Sequence, residues 1–197
     1  MTIPRFERRE RWAWVALLAL AFVLRFAMLG DRPPHHDEAV HGDFGYNLLT
    51  QGTYHYDPTY HGPLLFYVLA PLFALLGPTT GVARIFPSLC GVALVALPLV
   101  LRRRLGAAAA FWSAAVLAIS PIFVYYSRFA REDMPVCFFT AAAAALFLLV
   151  RRYGWRPIPW IAVAVAGHAT SKETIYVTVP LVVLPSAAAF ATFSVPR

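Results

Sequence analysis

The stretch Trp12-Ala13-Trp14-Val15-Ala16-Leu17-Leu18-Ala19-Leu20-Ala21-Phe22-Val23-Leu24-Arg25-Phe26-Ala27-Met28-Leu29 decides the class of fold. It holds 18 residues and one charge, Arg25. As a helix it would reach about 27 Å, close to the roughly 30 Å hydrocarbon core of a bilayer. It is rich in Ala and Leu and lacks the period-two alternation of a barrel strand. Arg5, Arg8, Arg9 and Arg11 precede it, the flank of a signal peptide as well as of a span. The run exceeds a signal core, however, and no small-residue cleavage site stands before Gly30-Asp31-Arg32-Pro33-Pro34. It reads as a retained first span.

The same pattern recurs along the chain. Of 197 residues, 59% are hydrophobic and 14% charged, and the mean hydropathy is +0.61. A soluble domain of this size would need charge over its whole surface. Further apolar runs cover residues 82–101, 107–126, 134–150, 158–169 and 174–193, of which 158–169 is short, and another short run lies at 63–77. The fold class is therefore all-α: one polytopic transmembrane bundle, residues 1–197, of about six spans. The net charge of +7 would suggest nucleic acid in a soluble protein. Here the arginines cluster between apolar runs and act as topology determinants, so no nucleic-acid partner is expected. Cys90 and Cys137 lie inside apolar runs, as packing residues do.

Three basic clusters, Arg5–Arg11, Arg102–Arg104 and Arg151–Arg156, should all face the cytoplasm, with an even number of crossings between each pair. Three apolar candidates separate the first two clusters, so one cannot cross. Residues 63–77 are the shortest, with Pro63 at the start and Pro71 inside, and are assigned to the outer interface. That topology, in the plasma membrane with a cytoplasmic N-terminus, places the loop His35–Gly62 outside. It also places there eight of the ten acids and all six histidines. Arg25 is expected to snorkel to the interface.

Four stretches could carry chemistry. His35-His36-Asp37-Glu38-Ala39-Val40-His41 holds adjacent carboxylates, which repel, so one needs a cation, a donor or a raised pKa. An ordinary loop with a helix N-cap at Asp37 explains the same residues equally well. Glu38 and His41 form an E-x-x-H pair, but di-iron bundles need two copies; a single divalent ion on Asp, Glu and His stays open. The aromatic stretch 52–63 ends in Tyr60-His61-Gly62-Pro63, which would hold His61 at the mouth of the next helix. Arg128-Phe129-Ala130-Arg131-Glu132-Asp133 joins two apolar runs with four charges where a plain turn would serve, pointing to a phosphate grip. Lys172, the only lysine, stands beside Glu173 between the last two runs, as a simple turn pair or as an ammonium aimed at an anionic headgroup.

In this order the motifs resemble the GT-C membrane glycosyltransferases. The Asp37-Glu38 pair follows the first span, Gly62-Pro63-Leu64-Leu65-Phe66-Tyr67 opens the interfacial helix, and Ala83-Arg84-Ile85-Phe86-Pro87-Ser88 opens the second span. Tyr126–Asp133 and Ala169–Glu173 add two more matches. The likeness is greatest to the protein mannosyltransferase and aminoarabinose transferase branch, within it to the flippase-activity-associated subgroup. It implies sugar transfer on the outer face from a polyprenyl-phosphate donor to a lipid, protein or glycan acceptor. Asp37 would deprotonate the acceptor, with Glu38 positioning it. Arg128, Arg131 and Lys172 would hold the donor phosphate. Asp133, Tyr60, His61 and His41 would line the substrate pocket. His61 stands where some relatives carry a carboxylate; no cofactor is assigned, and one divalent cation on Glu38 and His61 is left open. Members of this fold have more spans, so the chain is expected to be the N-terminal part of a longer protein. Two other classes fit less of the pattern. They are a non-catalytic accessory protein for lipid-linked sugar flipping and a transporter relaying protons through Glu132, Asp133 and His168.

Overall fold

Proline and glycine cut the apolar runs into shorter pieces than hydropathy suggests. The computed structural model describes residues 7–178 and 180–181. Its helices are α1 (Arg8–Phe26), α2 (His36–Gln51), α3 (Leu64–Leu76), α4 (Thr80–Ala83), α5 (Ile85–Val100), α6 (Arg102–Leu105), α7 (Ala107–Ile119), α8 (Pro121–Ser127), α9 (Asp133–Tyr153), α10 (Ile158–Ser171) and α11 (Ile175–Thr178). No strand occurs among the described residues.

Two helices have the length and apolarity to cross a bilayer unaided, α4 with α5 over Thr80–Val100, and α9. α1 has the length, but Arg8, Arg9, Glu10, Arg11 and Arg25 leave only its middle uniformly apolar. α10 is shorter, with 14 residues. Of the run 174–193, only Thr174, the α11 turn and residues 180–181 are described. α3 has 13 residues, about 20 Å, too short to cross unbent.

The run 107–126 is not one straight helix: α7 and α8 meet at 61°. Pro121 has no N–H to return to Leu117, and it holds Ser120 extended, at φ −59° and ψ 122°. Arg25 fills the gap, donating from Nη2 to the Leu117 carbonyl at 3.0 Å and from Nη1 to that of Ala118 at 3.2 Å. Its Nε donates to Ser127 Oγ at 3.2 Å. The residue expected to snorkel is thus completely buried, because four of its N–H donors meet buried carbonyls and a hydroxyl, the fourth bond going to the Ala21 carbonyl. Gly91 leaves the space for it: a Cβ there would lie 2.0 Å from Ser127 Oγ.

Small residues bring the spans together. Ala110, Ala114 and Ala118 recur every fourth position on α7 and are fully buried against Trp14, Leu17 and Ala21 of α1 and Val95 of α5. Such a stripe lets helix backbones approach closely where lipid supplies no hydrophobic drive between helices. The opposite face of α7 presents Trp112, Val116 and Ile119 outward, as a lipid-facing surface requires. Cys90 is a free thiol packed with Leu94 and Met134, and Cys137 packs against the same cluster. Glu10 pairs with Arg102, which sets the first two basic clusters at one end of the bundle. The polar loops gather at the other end.

Candidate active site

α2 begins with a reciprocal cap. His35 Nδ1 accepts the Asp37 N–H at 3.3 Å, while Glu38 accepts the N–H of His35 at 3.0 Å. The cap is therefore His35 rather than Asp37, which moves into the first turn, where the helix dipole favours a carboxylate.

Glu38 is the hub of this end. Its side chain is 1% exposed and accepts both Nε and Nη2 of Arg84, at 2.7 and 2.9 Å. It also accepts Nη2 of Arg32 at 3.0 Å and the backbone N–H of Ala130 at 2.9 Å. Burial alone would raise its pKa, but the Arg84 guanidinium and the His35 and Ala130 donors outweigh burial and hold it below the ordinary value. Arg84, equally buried, also donates to the carbonyls of Leu29, Arg32 and Pro33. The pair stitches the loop after α1 to the start of α2.

The E-x-x-H spacing acquires a meaning here that no metal explains. Glu38 and His41, one turn apart, grip the two polar groups of one residue: Glu38 Oε1 accepts the N–H of Ala130, and His41 Nδ1 donates to its carbonyl at 3.1 Å. A divalent cation does not fit this set, because five N–H donors already occupy the Glu38 oxygens and His61 pairs elsewhere. No group of three or more His, Cys, Asp and Glu suited to a metal occurs among the described residues.

Fixing Ala130 fixes its neighbour. Arg131 Nη1 lies 2.9 Å from Asp37 Oδ2, and its Nε 3.4 Å from Asp133 Oδ2. Asp133 Oδ1 in turn accepts Lys172 Nζ at 3.0 Å. Four half-exposed side chains of alternating sign thus form one chain, Asp37–Arg131–Asp133–Lys172, across α2, the α8–α9 junction and the end of α10. Asp37 Oδ1 has no protein partner among the described residues. Arg131 and Asp133 also form the rim of a cleft of about 350 Å³ whose walls are Ile122, Phe123, Tyr126, Met134 and Cys137 of α8 and α9.

Arg128 stands apart from this chain. It donates to the carbonyls of Leu24, Ala27 and Met28, at 3.0, 2.7 and 3.1 Å, and so caps the C-terminal end of α1. Its place in a phosphate grip with Arg131 and Lys172 is not what the geometry gives.

His61 and Tyr60 lie on the floor of the end. Tyr60 packs edge-on to His41 and against Phe44. His61 adopts φ 66°, rare for a residue with a side chain, and its Nδ1 lies 3.0 Å from Glu173 Oε2. Tyr56 donates to the other oxygen of Glu173, also at 3.0 Å. Gly62 donates its N–H to the Ser171 carbonyl, and a Cβ there would sit 2.1 Å from the Thr170 oxygen. Gly62→Ala should therefore lift the 52–62 loop off α10 at a cost of about 1–3 kcal/mol. The check is limited proteolysis: cleavage within 52–62 should speed up several-fold while cleavage elsewhere stays the same.

The profile of the dolichyl-phosphate-mannose-protein mannosyltransferase family matches residues 60–195, more than half of the chain. The chain belongs to that family. No curated protein matches it. Among solved structures, this mannosyltransferase-family chain is similar to ArnT from Cupriavidus metallidurans bound to undecaprenyl phosphate, with a TM-score of 0.75 and 21% identity. The match covers 90% of this chain and 36% of that one, so the chain spans about a third of that relative. The fold is that of the GT-C transferases, as the order of motifs implied.

Several residues that build this end of the molecule are not singled out by any pattern in the sequence. In sequence Arg84 marks only the opening of a span and Arg32 a place in a loop; both prove to be partners of Glu38. A buried carboxylate demands a buried cation, and that requirement was the signal available for finding them. Glu132 is buried with both oxygens lacking a hydrogen bond; nothing in its charged neighbourhood sets it apart from Asp133 in sequence.

Proposed function

We propose that this chain forms the donor-lipid and base-carrying part of a membrane glycosyltransferase. The reaction moves a sugar from a polyprenyl-phosphate donor to an acceptor hydroxyl on the outer face. One observation carries the reading: a carboxylate with a free oxygen, Asp37, lies against Arg131, the first cation of the alternating chain Arg131–Asp133–Lys172, at the rim of an apolar cleft. Base, phosphate ligands and a place for an isoprenoid chain are adjacent. The ArnT relative supports the choice of lipid through its bound undecaprenyl phosphate. The basic clusters at the opposite end support the outer-face assignment.

Asp37 Oδ1 takes the proton of the acceptor hydroxyl. The acceptor oxygen attacks the anomeric carbon, forming the new glycosidic bond as the bond from that carbon to the phosphate oxygen breaks. The departing phosphate gains one negative charge, which Arg131 and Lys172 stabilise. Arg131 reaches Asp37 and Asp133 at once; a phosphate between the cations would compete for these N–H groups and loosen Asp37 for its role as base. Glu38 is not a second base, since its lone pairs are taken; it holds Ala130, and thereby Arg131, in place.

Farnesyl phosphate, a short isoprenyl phosphate, is the probe that tests this, titrated into the detergent-solubilised chain with tryptophan fluorescence as readout. Arg131→Ala should weaken binding about tenfold to a hundredfold, the value of one charge-assisted phosphate contact. Arg128→Gln should change it less than about twofold, though it loosens the end of α1 by about 1 kcal/mol. Equal affinity in Arg131→Ala and the unaltered protein would refute the reading.

A further inference from the structure

Directly beneath Arg131 lies a second pair of ionisable groups that the transfer reaction does not use. Glu132 is 1% exposed and His41 3% exposed. His41 Nδ1 faces the Ala130 carbonyl at 3.1 Å, and a carbonyl can only accept, so Nδ1 carries a hydrogen. His41 Nε2 faces Glu132 Oε1 at 3.4 Å, and neither oxygen of Glu132 has a hydrogen-bond partner. Two arrangements satisfy this geometry: a neutral imidazole beside a protonated carboxyl, or an imidazolium beside a carboxylate. Each holds one proton between the two side chains and leaves the pair neutral. Removing that proton would leave an unpaired carboxylate in a dry site, which proteins avoid by rearranging.

We propose that His41 and Glu132 are positioning residues that share one proton beneath the Ala130–Asp133 shelf, and that losing this proton unseats the shelf and withdraws Arg131 from the donor-phosphate position. The proposal rests on the glycosyltransferase reading only for what Arg131 does; the shared proton stands on its own geometry. The shelf is short and anchored through these contacts. Ala130 is held by Glu38 and His41, Glu132 faces His41, and Arg131 and Asp133 between and beyond them point to the surface chain. The charged neighbours of the pair are Asp37 on α2, Arg131 and Asp133 on the shelf, His61 in the preceding loop and Lys172 at the end of α10. Tyr60 and Phe66 rings cover His41 and keep water away. Burial favours the neutral arrangement from both sides: it lowers the His41 pKa and pushes Glu132 up to about 8. The proton should therefore leave as pH rises through that value.

The test uses the whole chain in detergent, comparing it with Glu132→Gln, whose amide keeps the shape and remains neutral at every pH. The first readout is hydrogen exchange of the 128–133 segment, corrected for the intrinsic pH dependence of exchange. Protection should fall about tenfold or more as pH rises through about 8 in the unaltered protein, and stay level in Glu132→Gln. The second is the infrared band of a protonated carboxyl at neutral pH, which Glu132→Gln should remove. Farnesyl phosphate affinity should follow the same pH course, dropping in the unaltered protein and not in the variant. Equal pH profiles of exchange for the two proteins, or no carboxyl band to remove, would overturn the inference. If exchange and the infrared band behave as expected while farnesyl phosphate binds at no pH, the shared proton is upheld and the glycosyltransferase reading is what fails.

Discussion

Arg84→Ala will lower the stability of the folded chain by about 3–5 kcal/mol, more than any other single truncation at the polar end. The guanidinium is almost fully buried and makes five bonds, two to Glu38 and three to carbonyls of the 29–33 loop. Truncation leaves the Glu38 carboxylate in an apolar setting with only Arg32 and two backbone N–H groups, and leaves the three carbonyls without this donor. Desolvated charge, rather than the lost contact itself, sets the size of the effect. The double variant Arg84→Met with Glu38→Gln should therefore be less damaging than Arg84→Met alone, and its loss should fall short of the sum of the two single losses by more than about 1 kcal/mol. Equilibrium unfolding of the four proteins in detergent measures it. Additive losses would show that the pair is not the hub of this end.

Asp37→Asn has the largest expected effect on chemistry. The substitution keeps the size and polarity of the side chain while removing its capacity to take a proton, so transfer from a polyprenyl-phosphate sugar should fall by about 10²–10⁴. Binding should move the other way or not at all. Asp37 draws Arg131 to itself at 2.9 Å, and a neutral amide holds that cation less tightly, leaving it freer for phosphate. The signature is thus a fall in turnover with donor affinity unchanged or up to several-fold tighter, which separates a lost base from a damaged pocket. A protein that merely assists the movement of lipid-linked sugars would keep its effect in Asp37→Asn. Retained transfer in that variant would remove Asp37 from the role of base.

How much of this was legible beforehand depends on where each partner comes from. The apolar runs that form α4–α5 and α9 are local in sequence, and hydropathy marks their ends to within a few residues. It does not mark the bend at Ser120-Pro121, although Pro121 stands in plain view. Hydropathy is continuous across 107–126, and prolines occur within straight assignments of membrane helices because neighbours repair the missing bond. Here the repair comes from Arg25, some 90 residues away, so neither the bend nor the burial of Arg25 could be deduced from its own surroundings. The E-x-x-H spacing was visible, but its ligand is the backbone of Ala130, and backbone atoms carry no sequence signal. Arg128 and Arg131 looked equivalent. They separate because the chain between α8 and α9 is irregular, sending one guanidinium to α1 and the other to Asp37. What composition and motif order conveyed correctly was the fold and the identity of the end where charge collects.

The most direct test of the account is to find where the donor lipid lies. A polyprenyl phosphate carrying a photoactivatable diazirine near its phosphate end, crosslinked to the chain in detergent and mapped by mass spectrometry, reports this position. Adducts are predicted on Ile122, Phe123, Tyr126, Met134 or Cys137, the walls of the cleft below Arg131 and Asp133, and they should be lost in Arg131→Ala. Labelling confined to other faces of the bundle, or labelling of the cleft that survives Arg131→Ala undiminished, would contradict it.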